Sequence, residues 1–176
     1  MHEIYVEHAR YVWRVLRRLG VREADVADAT QEVFLVVHQR LAEFEERARL
    51  TTWLFRICVN VARDRRRLHR RRPEAPDVLL VEKVASPGAD AEHQLHRRRE
   101  VEQLDQLLEE LDFDQRIVFV LFELEERSGD EIATTLELPV GTVRSRLRLA
   151  REAFRAAMAR RQARDRFVVP LLGSRT

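Results

Sequence analysis

Residues 138–152 read Leu-Pro-Val-Gly-Thr-Val-Arg-Ser-Arg-Leu-Arg-Leu-Ala-Arg-Glu, and this stretch indicates the fold class most directly. Pro139 suits the first position of a helix, where a missing backbone N–H costs nothing. Val143, Leu147 and Ala150 recur at spacings of four and three residues, so they share one apolar face. Three arginines share another face: Arg144, Arg148 and Arg151. The pattern predicts a helix that packs on a scaffold with one face and meets a polyanion with the other.

Just upstream, the sequence predicts an earlier short helix over residues 132–136, opened by Ser-Gly-Asp-Glu at 128–131. Ser128 and Glu131 have the spacing of a capping box, in which each side chain accepts a hydrogen bond from the other residue's backbone N–H. Two short helices joined across residues 137–139 form a helix-turn-helix pattern, whose second helix is the DNA reader. Early residues of such a helix reach base edges in the major groove; here the candidates are Thr142, Arg144, Ser145, Arg146, Arg148 and Arg151.

The composition favours an all-α protein, because Leu, Ala, Glu and Arg dominate 176 residues that include only five glycines and five prolines. The formal net charge is +2, but its distribution is uneven. Two arginine-rich segments, at 56–72 and 144–164, flank an acidic segment at 100–131. This arrangement suits two contacts with one polyanion, although charge-rich helices with solvated faces would give the same pattern.

Apolar periodicity predicts three helices in the N-terminal part of the chain. They cover residues 4–19, where Gly20 ends the first helix, then about 23–41, and then a segment capped by Thr51 or Thr52. From residue 73 onward prolines interrupt the pattern, and the last helix of the chain is expected to fray after Arg160. We therefore predict two small helical domains, residues 1–72 and 95–160, joined by a flexible linker at 73–94 and followed by a tail at 161–176, whose apolar part at 167–172 has no predicted role.

Several classes of protein are disfavoured by the sequence. Cys58 is the only cysteine, so no internal disulfide is possible, which fits a reducing cytoplasm. No run approaches the roughly 18 apolar residues that span a bilayer, so no membrane insertion is expected. His93 and His96 have no third ligand at useful spacing, and the chain has neither a phosphate-binding glycine loop nor a nucleophile elbow. We therefore predict no enzymatic activity, no metal and no cofactor.

Four segments resemble the sigma-70 family of RNA polymerase initiation factors. Residues 28–34 (Asp-Ala-Thr-Gln-Glu-Val-Phe) and 52–60 (Thr-Trp-Leu-Phe-Arg-Ile-Cys-Val-Asn) resemble the second conserved region of that family. Residues 114–121 resemble the start of its fourth region, and the last segment resembles its promoter-reading helix-turn-helix at residues 131–133 and 139–147. Two such regions joined by a short linker are the layout of the extracytoplasmic-function (ECF) subfamily, and the resemblance covers about residues 1–72 and 95–158.

The resemblance implies a cytoplasmic sigma factor that binds RNA polymerase core, recognises the −10 and −35 promoter elements, helps to melt the duplex, and has an anti-sigma factor as a further partner. The polymerase-binding residues it implies are Asp28, Gln31, Glu32 and Leu35. The implied −10 residues are Asn60, which would hold a flipped base, Arg63, Arg66 and Arg67, which would hold phosphates, and Arg56. The helix-turn-helix residues named above would read the −35 element. Trp53 fits the core better than a stacking platform, since it lies at helical spacing from Ile57.

The chain departs from the family pattern in places. Glu137 stands in the turn where the family usually has glycine, so a left-handed backbone there would cost about 1 kcal/mol. Leu149 replaces a frequent arginine, and Gly129 a frequent aromatic residue. Two other functions stay open: a free-standing helix-turn-helix regulator that binds an operator without polymerase, and a helical interaction protein without DNA contact.

Overall fold

The computed structural model describes residues 2–44, 49–71 and 91–172, and every regular element in these ranges is helical, which confirms the all-α prediction. Contacts divide the chain into two compact units, residues 1–105 and 106–176. The predicted linker lies outside the described residues up to residue 90. The helices are α1 (His2–Arg18), α2 (Glu23–Arg40), α3 (Leu50–Arg71), α4 (Ala91–Glu109), α5 (Phe113–Phe119), α6 (Gly129–Leu136) and α7 (Val140–Leu172), with a 3-10 turn at Leu41–Glu43 and a π-helical turn at Val120–Leu124.

The first unit is built around a core shared by α1, α2 and α3. Val12, Val33 and Phe55 are examples of its side chains, each fully buried. Gly20 ends α1 with a positive φ of 84°, as expected for a left-handed cap. The Val21 N–H donates to the Leu16 carbonyl at 3.0 Å and the Gly20 N–H to the Arg17 carbonyl at 2.9 Å, which together form a Schellman cap.

The start of α3 differs from the sequence-based expectation. The helix begins at Leu50, and the backbone N–H groups of Thr52 and Trp53 both donate to the Arg49 carbonyl. Arg49 therefore takes the cap position that was assigned to Thr51 or Thr52. The Tyr11 hydroxyl of α1 donates to the Thr51 carbonyl at 3.3 Å. This tertiary contact helps to place the first turn, and local cap preferences do not include it.

Two further boundaries are corrected by the structure. The sequence predicts residues 91–94 as the end of the linker, but in the structure they form the first turn of α4, which begins at Ala91. The last helix does not end near Arg160, since the backbone of α7 stays helical to Leu172. Residues 91–94 (Ala-Glu-His-Gln) and 161–164 (Arg-Gln-Ala-Arg) are mostly residues whose intrinsic helix propensity needs no apolar face. The sequence of residues 165–172, which includes Pro170, offers no such explanation for the helical backbone there. No helix in the described ranges, including the 33-residue α7, is apolar enough over the required length to cross a membrane.

The second unit packs α7 on α5 and α6. Val143, Leu147 and Ala150 are buried, which confirms the apolar face expected from their spacing, and we call these three residues the apolar seam. Further along the helix the ring of Phe154 stacks on Phe119 with centroids 4.8 Å apart. The seam fixes α7 to the scaffold and leaves its opposite side open.

The capping box and the turn of the helix-turn-helix form as expected. The Glu131 N–H donates to Ser128 Oγ at 3.2 Å, and the Ser128 N–H donates to Glu131 Oε2 at 2.8 Å. Glu137 adopts the left-handed conformation, with φ 54° and ψ 45°. The Leu138 N–H donates to the Ala133 carbonyl at 3.0 Å, so α6 closes with a Schellman cap that lacks its usual glycine. Pro139 directly precedes α7 instead of occupying its first position, and its carbonyl accepts the Val143 N–H at 3.2 Å.

Glu137→Gly is expected to stabilise the protein by about 1 kcal/mol, because glycine adopts a left-handed backbone without the steric cost of a Cβ atom. Thermal or denaturant unfolding of the full chain measures the change. Leu138→Gly is the matched control, since that residue precedes the helix without a positive φ and should lose stability. A Glu137→Gly variant no more stable than the parent would show that the glutamate side chain offsets the backbone cost.

Candidate functional site

The N-terminal half of α7 presents an open polar face. Arg144, Ser145 and Arg148 are exposed, while Thr142, Arg146 and Arg151 are half-buried. The Ser145 hydroxyl donates to the Thr142 carbonyl at 3.0 Å, so its oxygen remains available as an acceptor. The structure thus brings the six predicted DNA contacts onto one helix but gives them unequal access to solvent.

Carboxylates accompany three of the four arginines predicted to contact DNA. Arg146 Nη2 lies 2.7 Å from Asp114 Oδ2, and Arg148 Nη1 lies 2.8 Å from Glu152 Oε1. Arg151 forms the third pair, with its Nε 2.7 Å from Oε1 of Glu123 and its guanidinium carbon 4.9 Å from the centroid of the Phe122 ring. Arg144 makes no ion pair within the described part of the chain. Its charge is therefore fully available to a ligand.

Sequence reasoning missed these carboxylate partners. Arg148 and Glu152 are four residues apart on a helix, a spacing at which opposite charges attract, so this pair was detectable. The partners of Arg146 and Arg151 are 32 and 28 residues away in sequence. No local pattern contains that information, because it depends on how α7 is rotated against α5.

A second basic face lies on α3, in the first unit. Arg56, Asn60, Arg63 and Arg67 follow one another at spacings of four, three and four residues, so they share one side of the helix. All four side chains are exposed. Arg67 Nη2 lies 3.4 Å from Asp64 Oδ1. This ion pair is weak, because two-thirds of the Arg67 side chain is exposed to solvent. The amide of Asn60, a donor and an acceptor together, stands in the middle of this face.

Arg66 does not join the α3 face. It is half-buried and lines a separate cleft of about 200 Å³ at the end of α1, together with Gly20, Arg22 and His69. Trp53 is also half-buried, in place of the full burial expected for a core residue, and its ring lies 5.2 Å from that of Phe44. The resemblance to the sigma-70 family also implies that the loop at residues 44–50 belongs to the element that captures the flipped base, and residues 45–48 of this loop lie outside the described residues.

The four predicted polymerase-binding residues share one face of α2. Asp28 and Gln31 are exposed, and Leu35 keeps 62% of its surface open, which is high for a leucine on a packed helix. Glu32 differs, because both Nε and Nη2 of Arg65 on α3 donate to its Oε2, at 3.0 and 2.8 Å. This ion pair links α2 to α3. Leu35 is then the apolar residue of the α2 face, beside the polar Asp28 and Gln31.

An aromatic groove adjoins this face and was missed from the sequence. It has a volume of about 380 Å³, lies between α1 and α2, and includes Gln31 in its lining. Tyr5 and Trp13 form its aromatic walls and remain 46% and 38% exposed. Exposed aromatic residues around a concave surface are typical of protein-binding sites. Their only sequence signal is that both lie off the core-facing positions of α1.

Two protein-family models match the chain. The sigma-70 region 2 model matches residues 4–72, which contain α1, α2 and α3. The sigma-70 region 4 model matches residues 101–154, which contain the helix-turn-helix. Both basic faces therefore lie within matched regions.

Curated relatives and solved structures agree with the family models. The chain is 36% identical over 140 residues to the ECF RNA polymerase sigma-E factor of Escherichia coli K12, covering 76% of this chain and 73% of that protein. It is 33% identical over 141 residues, with the same coverage, to the RNA polymerase sigma-H factor of Pseudomonas aeruginosa. The fold matches CnrH, solved in complex with the cytosolic domain of CnrY, with a TM-score of 0.64, 25% identity and coverage of 90% and 86%. It also matches the fold of the sigma factor RpoE of Bartonella quintana, solved with the anti-sigma factor NepR, with a TM-score of 0.64, 18% identity and coverage of 90% and 96%.

Proposed function

We propose a function for this chain from one premise: it belongs to the extracytoplasmic-function subfamily of the sigma-70 family of RNA polymerase sigma factors. As a sigma factor, it directs transcription initiation. In the proposed mechanism it binds core RNA polymerase in the cytoplasm, recognises a −10 and a −35 element, and helps to melt the duplex. It supplies no catalytic group of its own. The observation that carries this proposal is the presence, in each of the two matched regions, of an exposed basic face with a polar reading group.

The α3 face supplies the −10 contact. A base that leaves the stack costs a few kcal/mol, which binding to the protein must offset. Asn60 hydrogen-bonds the edge of the flipped base, since its amide offers both a donor and an acceptor. Arg56, Arg63 and Arg67 flank Asn60 on the same side of the helix and hold the phosphates of the separated strand. Binding to the open strand stabilises the melted state.

The α7 face supplies the −35 contact. Arg144 lies within the first turns of the reading helix, is exposed and has no carboxylate partner among described residues. Such an arginine donates two hydrogen bonds to a guanine base, at the O6 and N7 atoms of the guanine. Thr142 and Ser145 supply shorter polar contacts, while Arg148 and Arg151 exchange their carboxylates for phosphate oxygens.

The α2 face supplies the contact with polymerase. Leu35 provides the buried apolar centre of this interface, and Asp28 and Gln31 provide its polar rim. The groove between Tyr5 and Trp13 continues the same surface through Gln31. An anti-sigma factor is a second partner in this proposal, since the matching RpoE structure contains the anti-sigma factor NepR and the matching CnrH structure contains the cytosolic domain of CnrY.

The proposed function is tested by reconstitution with core polymerase. Purified chain and core are incubated with genomic fragments, and the 5′ ends of the transcripts are sequenced. We expect new start sites that share two upstream elements and vanish when the chain is omitted. Tight sequence-specific duplex binding by the chain alone, without any stimulation of core, would instead favour the free-standing regulator.

A further inference from the structure

Among the described residues, the ion pair between Arg146 and Asp114 is one of two that join predicted DNA contacts of the reading helix to distant parts of the chain, and it holds the less exposed of the two arginines. Arg146 keeps only 29% of its side chain exposed, compared with 64% for Arg148, and Nη2 approaches Asp114 Oδ2 to 2.7 Å. The pair joins α7 to the first turn of α5, across 32 residues of sequence. The helix dipole also favours a negative charge in the first turn of a helix, which stabilises the Asp114 carboxylate at this position.

Arg146 and Arg151 lie on opposite edges of the apolar seam. Five residues separate them, which places their Cα atoms about 140° apart around the helix axis at 3.6 residues per turn. The seam itself, with Val143 fully buried, lies between the two arginines. Asp114 holds one edge and Glu123 holds the other. Apolar packing sets the distance of α7 from α5. In the free chain an ion pair at each edge restricts the rotation of α7, and the Arg146–Asp114 pair still does so when Arg151 exchanges Glu123 for a phosphate oxygen.

We infer that Arg146 is a positioning residue of the −35 reading helix and not a DNA contact. By holding α7 at one rotation against α5, the Arg146–Asp114 pair aims Arg144 at the major groove. This inference rests on the proposed function of the helix-turn-helix. A rotation of α7 by a few tens of degrees would move the tip of Arg144 by several ångströms, which is enough to break a bidentate contact with a base.

Two variants that break the pair from opposite sides distinguish positioning from DNA contact. Asp114→Asn leaves the helix cap intact, because Asp112 Oδ1 accepts the backbone N–H of residue 114. If Arg146 positions the helix, Asp114→Asn and Arg146→Gln each weaken promoter binding by about threefold to tenfold. The double variant binds no more weakly than either single variant, because both substitutions break the same ion pair. If Arg146 contacts DNA, Asp114→Asn frees the arginine and strengthens binding.

The assay is promoter binding by holoenzyme assembled from the full-length chain and core polymerase, at several salt concentrations. The salt dependence gives a second readout: Arg146→Gln should leave the slope of log K against log salt unchanged, whereas loss of a phosphate contact lowers its magnitude by about one. Glu109→Gln controls for the loss of one negative charge. Glu109 is an exposed carboxylate on α4 and makes no ion pair among the described residues. Arg146→Lys keeps a positively charged donor nitrogen for Asp114 and should restore most of the binding that Arg146→Gln loses.

The outcomes separate the inference from the proposed function. Tighter binding by Asp114→Asn, a lower salt slope for Arg146→Gln, or additive losses in the double variant would each overturn the positioning role. A parent chain that fails to direct core polymerase to any promoter would instead overturn the proposed function. Thermal unfolding of every variant identifies a loss of fold; if Asp114→Asn unfolds, Arg146→Lys and the salt slope still decide.

Discussion

Arg144→Gln should lower initiation from −35-dependent promoters by about 10- to 100-fold, the equivalent of one bidentate arginine–guanine contact of roughly 1–3 kcal/mol. The size of the effect follows from the free charge of Arg144, since its loss removes no internal ion pair of the described chain. Stability should therefore stay close to that of the parent. The measurement is transcription by reconstituted holoenzyme on a promoter library randomised at the −35 element.

Arg155→Gln is the matched control for this prediction. Arg155 lies on the same helix, is exposed and makes no ion pair within the described residues, but it follows Arg144 by eleven residues. It lies beyond the early turns that reach base edges. Its loss should reduce binding to all sequences alike and leave base preference unchanged. If Arg144→Gln also reduced all sequences equally, Arg144 would be a phosphate contact and not a base reader.

Leu35→Gln should weaken assembly with core polymerase by about tenfold or more, because an interface that buries a leucine gains roughly 1.5–3 kcal/mol from that side chain. The side chain is 62% exposed in the free chain, so its replacement should change the free energy of unfolding little. Binding to core is measured without DNA, by fluorescence anisotropy of the labelled chain. This separates docking from promoter recognition.

Leu68→Gln provides the matched comparison for the docking face. Leu68 is 58% exposed on α3, so the chemical change and the exposure are nearly the same, but the residue lies outside the α2 face. We expect no change in core affinity for Leu68→Gln. Equal losses for the two variants would indicate a general effect of exposed leucines and would remove Leu35 from the interface.

Local features of the fold were predictable from the sequence. The apolar seam of α7 follows from spacing, the Ser128–Glu131 box from two residue types three positions apart, and the end of α1 from a single glycine. Each depends on interactions within one or two helical turns, which the sequence displays directly. The cap of α3 and the ends of α4 and α7 were misplaced, because helix ends respond to tertiary contacts and to propensity outside the packed core.

The sequence predicts candidate site residues and, through helical spacing, which of them share a face, but it does not predict what each of them contacts. The four α2 residues and four of the five −10 residues share a face in each case, as helical spacing requires. The Glu32–Arg65 pair was not predictable, since its members are 33 residues apart on different helices. Tyr5 and Trp13 were missed because their positions on α1 show no regular apolar pattern. The role of each arginine depends on the carboxylates that it contacts, and these lie too far away in sequence to be predicted.

The carboxylates beside Arg146, Arg148 and Arg151 also limit how firmly the second unit can adhere to arbitrary DNA. Chromosomal DNA competes for every cationic protein through counterion release, and each arginine already matched to an acid releases fewer ions on contact. The isolated helix-turn-helix therefore has little tendency to be sequestered by the bulk of the genome. If the proposed function holds, selectivity depends on joint engagement with the polymerase, and the second unit by itself is not expected to hold the chain on bulk DNA.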